Sequence, residues 1–200
     1  MIPDIKICGL TREEDIRCVN ECLPGYIGFM FWKPSRRYIE PEAAAELKKI
    51  LSPEIKAVGV FLDQPADEVI AIAQSGVIDM IQLHGSEDDS YMEEVRSKAH
   101  LPVIKAFSVA KGADADTINR SAADLVLIDS GRGGTGETFD WEFLKGIKRD
   151  FFLAGGLSLE NAAEASATGA YALDVSSGVE TDGKKDADKI RRFIRSVRGM

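Results

Sequence analysis

Short apolar segments alternate along this chain with longer segments in which apolar residues recur every three or four positions. The short segments are rich in β-branched residues and nearly continuous in apolar character, which is typical of strands buried on both faces. Eight of them are recognisable, at residues 4–8, 26–31, 55–61, 79–85, 102–107, 124–130, 151–156 and 170–177. The pattern therefore predicts eight strands.

The longer segments have the spacing of amphipathic helices. They cover residues 13–23, 41–51, 66–76, 89–99 and 159–169, and a final one covers residues 189–199. The basic residues of that last segment alternate with apolar ones, so we interpret them as a solvated helix face. The connections after the fifth and sixth strands are less regular, because residues 111–122 are short and polar and residues 131–146 are rich in glycine. We expect an irregular helix in one of these two connections.

The repeated order of strand and helix predicts the α/β class, because a helix in every connection requires parallel strands joined by right-handed crossovers. Eight units in 200 residues average about 25 residues each, close to the minimum for such a unit. This short repeat favours one eight-stranded parallel barrel, the (β/α)8 or TIM barrel, as a single domain over residues 1–200. A doubly wound open sheet is the alternative.

The amino-acid composition argues against several classes of binding partner and cellular location. The net charge of −8 argues against broad electrostatic binding of nucleic acid or of an anionic membrane. The amino-terminal segment MIPDIKICGL has no signal-peptide pattern and no apolar stretch approaches a membrane span, so we expect a cytoplasmic protein. Three cysteines form an odd set that we expect to be reduced. No large apolar surface requires a subunit contact, so a monomer is favoured and a homodimer stays open.

In a barrel of this kind, the active site forms at the carboxyl ends of the strands. The ends of the seventh and eighth strands carry small residues ahead of a helix, in AGGLS and DVSSGVE. Backbone N–H groups and helix dipoles at such ends favour a phosphate group. The candidate phosphate-binding and substrate-binding residues there are Gly155, Gly156, Asp174, Ser176, Ser177 and Gly178. The alternative is that these residues form only tight turns and caps, with Ser158 capping its helix.

Cys8 ends the first strand, just before a helix start that is marked by Thr11 and two glutamates. The amino end of that helix, with Lys6 nearby, is expected to lower the pKa of the thiol and to favour a reactive thiolate. The alternative is a small buried apolar residue. Cys18 and Cys22 lie four apart on the first helix and are interpreted as core packing.

Asp129 closes the sixth strand and precedes a glycine-rich segment, GRGGTG, that is able to close over the barrel mouth. A carboxyl group at this point suits a general acid if desolvation raises its pKa. The alternative is a loop-capping aspartate. Gly133 and Gly134 in the same segment are candidates for contact with substrate.

Two further pairs of polar residues are candidates for substrate binding. Arg37, in the loop KPSRRY after the second strand, offers a planar guanidinium for a carboxylate, and the adjacent Arg36 is an equal candidate. A surface ion pair is the alternative for either arginine. Gln82 and His84 lie two apart at the end of the fourth strand and so face the same side. With only two histidines in the chain, no metal site is predicted.

These segments together resemble the phosphoribosylanthranilate isomerase family of tryptophan biosynthesis. The resemblance is carried, in order along nearly the whole chain, by KICGLT, GFMFWKPSRRYI, VGVF, QLHG, LIDSGRGGTGETFDW, AGGL, DVSSGVE and GKKD. It implies a TIM barrel that catalyses a cofactor-free Amadori rearrangement of N-(5-phosphoribosyl)anthranilate to 1-(2-carboxyphenylamino)-1-deoxyribulose 5-phosphate. The resemblance further implies that Cys8 is the general base at the sugar C2 carbon, Asp129 the general acid on the ring oxygen, and Arg37 the ligand of the anthranilate carboxylate.

Three alternatives stay open. The related isomerase of histidine biosynthesis is expected to carry an aspartate where this chain has Cys8. Indole-glycerol-phosphate synthase is expected to carry catalytic lysines at strand ends, where Lys105 is the one candidate. A non-catalytic sugar-phosphate binder has no need of a thiol and a carboxyl group at the barrel mouth.

Overall fold

The computed structural model describes residues 2–130 and 140–199 of the chain. Its centre is a closed barrel in which each of eight parallel strands pairs with the next in sequence and the eighth pairs with the first. The strands are Asp4–Cys8 (β1), Tyr26–Met30 (β2), Lys56–Phe61 (β3), Met80–Leu83 (β4), Val103–Ser108 (β5), Leu125–Asp129 (β6), Phe151–Leu153 (β7) and Ala172–Val175 (β8). The predicted barrel is confirmed, and the doubly wound sheet is wrong.

Helices connect the strands and surround the barrel. They are Glu13–Cys22 (α1), Pro41–Lys49 (α2), Ala66–Gln74 (α3), Asp89–Ala99 (α4), Ala115–Arg120 (α5), Ala162–Ser166 (α6) and Ala187–Arg198 (α7). A short antiparallel hairpin, Glu180–Thr181 (β9) and Lys184–Lys185 (β10), lies between β8 and α7. No helix within the described ranges has both the length and the apolar character to cross a membrane.

Both irregular connections contain 3-10 turns. After β5 a turn over Val109–Lys111 precedes the short helix α5, and after β6 the segment Trp141–Gly146 is a 3-10 helix. The expected irregular helix is therefore confirmed. The glycine-rich segment 131–139, including Gly133 and Gly134, lies outside the described residues.

Two apolar layers hold the fold together. The larger layer lies between the outer face of the barrel and the helices, and α7 contributes Ile190, Phe193, Ile194 and Val197 to it. The smaller layer fills the barrel interior with side chains from alternate strand positions. Its members are Tyr26, Val58, Met80, Ile104, Ala106, Leu127, Phe152, Ala154 and Ala172. The barrel is thus a packed core at this level, and the polar inward positions lie nearer the strand ends.

Strand register decides which inward side chains meet. Lys6 on β1 pairs with Tyr26 on β2 and with Asp174 on β8, so the closure of the barrel brings residues 168 positions apart into contact. Gln82 on β4 reaches the same point from the opposite wall and hydrogen-bonds Lys6. The inward face therefore carries a buried polar cluster close to the predicted site.

Candidate active site

A cavity of about 250 Å³ opens among the carboxyl ends of the strands. Most of the residues predicted from the sequence line it. They are Cys8, Arg37, Gln82, His84, Asp129, Gly155, Gly156, Asp174, Ser176 and Ser177. The thiol and the carboxyl group that the sequence singled out thus face one space, whose rim includes the loops after β7 and β8.

Gly178 is not among the residues that line this cavity. It pairs instead with Ser158 in an isolated bridge, which joins the loop after β8 to the loop after β7. Its backbone lies so close to the carbonyl of Leu157 that a side chain would not fit. Gly178 therefore shapes the rim, and direct contact with substrate is not the role that its position favours.

The sequence did not single out the apolar wall of the cavity. This wall consists of Met30, Trp32, Val60, Leu62 and Leu157. The aromatic segment GFMFW at the end of the second strand is the one sequence signal for it. The wall offers an apolar surface next to the polar groups.

Cys8 is buried at the end of β1, opposite Gly28 on β2. A β-carbon at residue 28 would lie 2.7 Å from the Cys8 sulfur, so the glycine leaves the space that the thiol occupies. Burial raises the pKa of the Cys8 thiol, and the positive charges of Lys6 and Lys185 offset only part of this effect. The expected lowering of the Cys8 pKa is therefore wrong, because desolvation outweighs the neighbouring cations.

Lys6 is fully buried inside the barrel. Its ammonium group donates to Asp174 Oδ2 at 2.8 Å and to Gln82 Oε1 at 2.7 Å. Burial lowers the pKa of Lys6, but the charge and hydrogen bond of Asp174, together with Cys8, raise it by more, so the lysine stays charged. The sequence signal for this group is a lysine two residues before Cys8 in an apolar strand, which places both side chains on one face.

His84 joins Asp129 to the same cluster. Its Nε2 lies 3.2 Å from Asp129 Oδ2, and its Nδ1 lies 2.9 Å from Gln82 Nε2. Asp129 is buried, and its Oδ1 accepts from the hydroxyl of Ser130 at 3.3 Å. The carboxyl group thus sits at the barrel mouth in a largely desolvated position.

Arg37 and Arg36 have different surroundings. Arg37 lines the cavity, packs on Gly9 and makes a two-point ion pair with Glu180, through Nε at 2.6 Å and an Nη2 at 3.0 Å. Arg36 is more than half exposed, donates to Glu180 Oε2 at 2.9 Å and does not line the cavity. Both arginines therefore pair with Glu180, but only Arg37 presents itself to the cavity among the described residues.

Glu180 and Lys185 anchor the hairpin to the rim of the cavity. Lys185, which is buried, donates to Glu180 at 2.6 Å and to the backbone carbonyl of Ser176 at 2.9 Å. Burial acts to raise the pKa of Glu180, but hydrogen bonds from Arg37 and Lys185 lower it by more. Burial lowers the pKa of Lys185, and Glu180 offsets part of that shift. These ion pairs fix the loop that carries Ser176 and Ser177.

The loop after β7 is held by its own polar groups. Gly155 has φ of +89° and lies against the backbone of Ser130, so this position requires glycine. Asn161 accepts from Ser158 N and donates to the carbonyl of Gly156 at 2.9 Å. Helix α6 begins only at Ala162, so the alternative in which Ser158 caps this helix is wrong.

A family model described as N-(5'-phosphoribosyl)anthranilate (PRA) isomerase matches residues 5–196. An N-(5'-phosphoribosyl)anthranilate isomerase of Endomicrobium trichonymphae is 40% identical over 206 residues, covering 100% of each chain.

The chain is also similar to solved structures of phosphoribosyl anthranilate isomerases. The crystal structure of phosphoribosyl anthranilate isomerase from Thermus thermophilus superposes with a TM-score of 0.90 at 36% identity, covering 98% of each chain. A second phosphoribosyl anthranilate isomerase, crystallised with reduced 1-(o-carboxyphenylamino)-1-deoxyribulose 5-phosphate, gives a TM-score of 0.84 at 32% identity, covering 99% of this chain and 100% of that one.

Proposed function

The chain belongs to the N-(5'-phosphoribosyl)anthranilate isomerase family, and on that premise we propose that Cys8 and Asp129 carry out the two proton transfers of its reaction. The enzyme is an isomerase of tryptophan biosynthesis. The observation that carries the assignment of roles is that the thiol and the carboxyl group line one cavity, whose rim holds the glycine and serine loops after β7 and β8.

Asp129 acts first, as the general acid. It gives its proton to the ring oxygen of the phosphoribosyl group while the bond between C1 and that oxygen breaks, and the anilino nitrogen supplies the electron pair that forms a C=N bond. Cys8 as thiolate then removes the proton from C2, the electrons of that C–H bond form the C1=C2 bond of the enolamine, and the C=N electron pair returns to nitrogen. The enolamine becomes the ketone when its C2 hydroxyl loses a proton and C1 gains one. Each such proton transfer contributes roughly 100-fold to 10,000-fold in rate.

Before this second step the Cys8 thiol must release its proton to solvent, and after turnover Asp129 must regain one from solvent. Burial raises the pKa of Cys8, whereas the ammonium groups of Lys6 and Lys185 lower it. These two cations therefore stabilise the thiolate once it forms, and they are the groups that make a buried cysteine usable as a base. The route uses protein side chains alone and needs no cofactor.

Substrate binding divides between the two sides of the cavity. Arg37 binds the anthranilate carboxylate, because it lines the cavity whereas Arg36 does not. The apolar wall that includes Trp32 packs against the anthranilate ring. The phosphate group binds at the loops that contain Gly155, Gly156, Ser176 and Ser177.

The test mixes the purified enzyme with freshly generated phosphoribosylanthranilate and follows the loss of anthranilate fluorescence. Cys8→Ser and Asp129→Asn are each expected to lower kcat by at least about 100-fold with the fold intact. Cys22→Ser and Asp182→Asn are the matched controls, since both residues lie outside the cavity lining. Wild-type turnover in either of the two cavity variants would remove that residue from the mechanism.

A further inference from the structure

A continuous line of hydrogen bonds crosses the barrel from β8 to β6. It runs from Asp174 to Lys6 at 2.8 Å, from Lys6 to Gln82 at 2.7 Å, from Gln82 to His84 at 2.9 Å and from His84 to Asp129 at 3.2 Å. Lys6 and Gln82 are no more than 1% exposed, so water does not compete for their hydrogen bonds. The line connects the surroundings of Cys8 with the carboxyl group of Asp129.

The direction of each hydrogen bond follows from Lys6. An ammonium group only donates, so the Gln82 amide atom that it contacts must be the oxygen. The Gln82 amide nitrogen then faces His84 Nδ1 and donates to it, which makes Nδ1 the acceptor. A neutral imidazole with an accepting Nδ1 carries its proton on Nε2, and that N–H points at Asp129 Oδ2.

The ion pair of Asp174 and Lys6 fixes the donor-to-acceptor direction of all the hydrogen bonds in this line. The Asp174 carboxylate pairs with Lys6 and keeps it charged in a fully buried position. Reversing the Gln82 amide would set its NH2 group against the ammonium group and would leave two facing donors. A buried pair of facing donors is strongly unfavourable, so one orientation of each group is retained.

We propose that Lys6 and Gln82 hold His84 in the Nε2–H tautomer, and that His84 is thereby a positioning residue that donates to Asp129 during the acid step. The inference rests on the proposed role of Asp129 as the general acid. It adds Gln82 and His84, whose effect on catalysis passes through the Asp129 carboxyl group, and it gives Lys6 a second role beside its stabilisation of the Cys8 thiolate.

The chemistry explains why a donor is needed there. When Asp129 gives its proton to the ring oxygen, a carboxylate is left in a largely buried position. The His84 N–H stabilises that charge, and the ammonium group at the other end of the line polarises the intervening amide and imidazole in the same direction. The opposite tautomer would turn a lone pair toward the carboxylate and would oppose the proton transfer.

The tautomer can be observed directly, because the chain has only two histidines. His100 is the left-handed C-cap residue of α4, a conformation that asparagine tolerates well, so His100→Asn leaves His84 as the single histidine. In this variant labelled with ¹⁵N-histidine, the signals are followed as the pH is varied, and we expect protonated Nε2 and unprotonated Nδ1 for the neutral form of the ring. A protonated Nδ1 would overturn the proposal, whatever the activity of other variants.

Gln82→Met in the same background removes the amide while keeping an unbranched side chain of similar length. We expect the His84 signals to change from one tautomer to a mixture, with kcat reduced about 10-fold to 100-fold, the value of one hydrogen bond to a charged group. An unchanged single tautomer in a folded Gln82→Met protein would contradict the proposal. If Gln82→Met does not fold, the tautomer measured in the His100→Asn protein still tests the proposal.

A kinetic cycle separates positioning from general support of the fold. Because Gln82 acts through Asp129, Gln82→Met is expected to lower kcat in the wild-type protein but to change it by less than about twofold in Asp129→Asn. If the two substitutions lower kcat additively, Gln82 acts on catalysis by a route that does not involve Asp129, and the proposal is overturned. Wild-type activity of Asp129→Asn would instead remove the proposed function, while the tautomer measurement would still stand on its own.

Discussion

At the scale of single residues, the candidate site combines groups whose charges depend on burial as much as on neighbours. Cys8 illustrates this, because a position at a strand end near a helix start suggested a lowered pKa, whereas burial raises it. The sequence identified Cys8 but not whether burial or the neighbouring cations have the larger effect on its pKa, since desolvation depends on how the neighbouring strand packs.

Cys8 is expected to be a thiol in the substrate-free enzyme at neutral pH. Burial raises the folded-state pKa above the ordinary value for a cysteine, so the thiolate forms at a higher pH than it does in an unfolded chain. The check is the ultraviolet thiolate absorbance of the wild type minus that of Cys8→Ser, followed as pH is raised. A thiolate signal from Cys8 already present at pH 7 would contradict the direction of this shift.

Glu180 is expected to position Arg37 for the substrate carboxylate. Glu180→Gln weakens the two-point ion pair and should raise KM about 10-fold while changing kcat less, because Glu180 contacts Arg37 directly and bears on Cys8 only through Lys185. Arg36→Gln is the control, and because Arg36 is exposed its effect on KM should stay within about threefold. A loss in kcat with unchanged KM for Glu180→Gln would show that this ion pair serves catalysis in another way.

At the scale of elements, the strands were predictable because buried parallel strands leave a nearly continuous apolar pattern, as in residues 55–61. Helix α6 was less predictable, since the pattern over residues 159–169 becomes a helix only over Ala162–Ser166. The reason is local, because the side chain of Asn161 bonds the backbone of Gly156 and Ser158 and holds a turn ahead of the helix.

The pairing of β1 with β2 predicts a requirement at Gly28. Gly28→Ala would place a β-carbon 2.7 Å from the Cys8 sulfur, so the thiol must move. We expect at least a tenfold loss of kcat and a loss of about 1–3 kcal/mol in the free energy of unfolding. Measured by urea denaturation, the stability loss should be smaller in a Cys8→Ala background, and an equal loss in both backgrounds would show that the sulfur is not the obstacle.

At the scale of the whole molecule, the closed barrel brings together residues that are far apart in sequence. The strand-end rule located most of the cavity lining, because all carboxyl ends of a parallel barrel meet on one side. It did not identify the ion-pair partners of Lys6 and Arg37, which are Asp174 on β8 and Glu180 in the hairpin beyond it. Such pairs depend on how the barrel closes, and no local pattern records that.

The buried pair of Lys6 and Asp174 links β1 to β8 where the barrel closes. Lys6→Met removes one partner and should cost about 3–5 kcal/mol of unfolding free energy, because it leaves a buried carboxylate unpaired. Combining Lys6→Met with Asp174→Asn should recover part of this loss. Urea denaturation provides the measurement. A loss below about 1 kcal/mol for Lys6→Met would contradict a central role of this pair.

We propose that residues 1–200 form a single domain, so the protein should unfold in one transition in the same measurement.

The central claim, that Asp129 opens the ring and Cys8 then removes the C2 proton, is tested most directly by isotope effects with substrate deuterated at C2. In Cys8→Ser the C2 step limits turnover, so the isotope effect on kcat should exceed that of the wild type. In Asp129→Asn ring opening limits turnover, so the effect should fall toward unity. A large isotope effect in Asp129→Asn together with none in Cys8→Ser would contradict the assignment of the two roles.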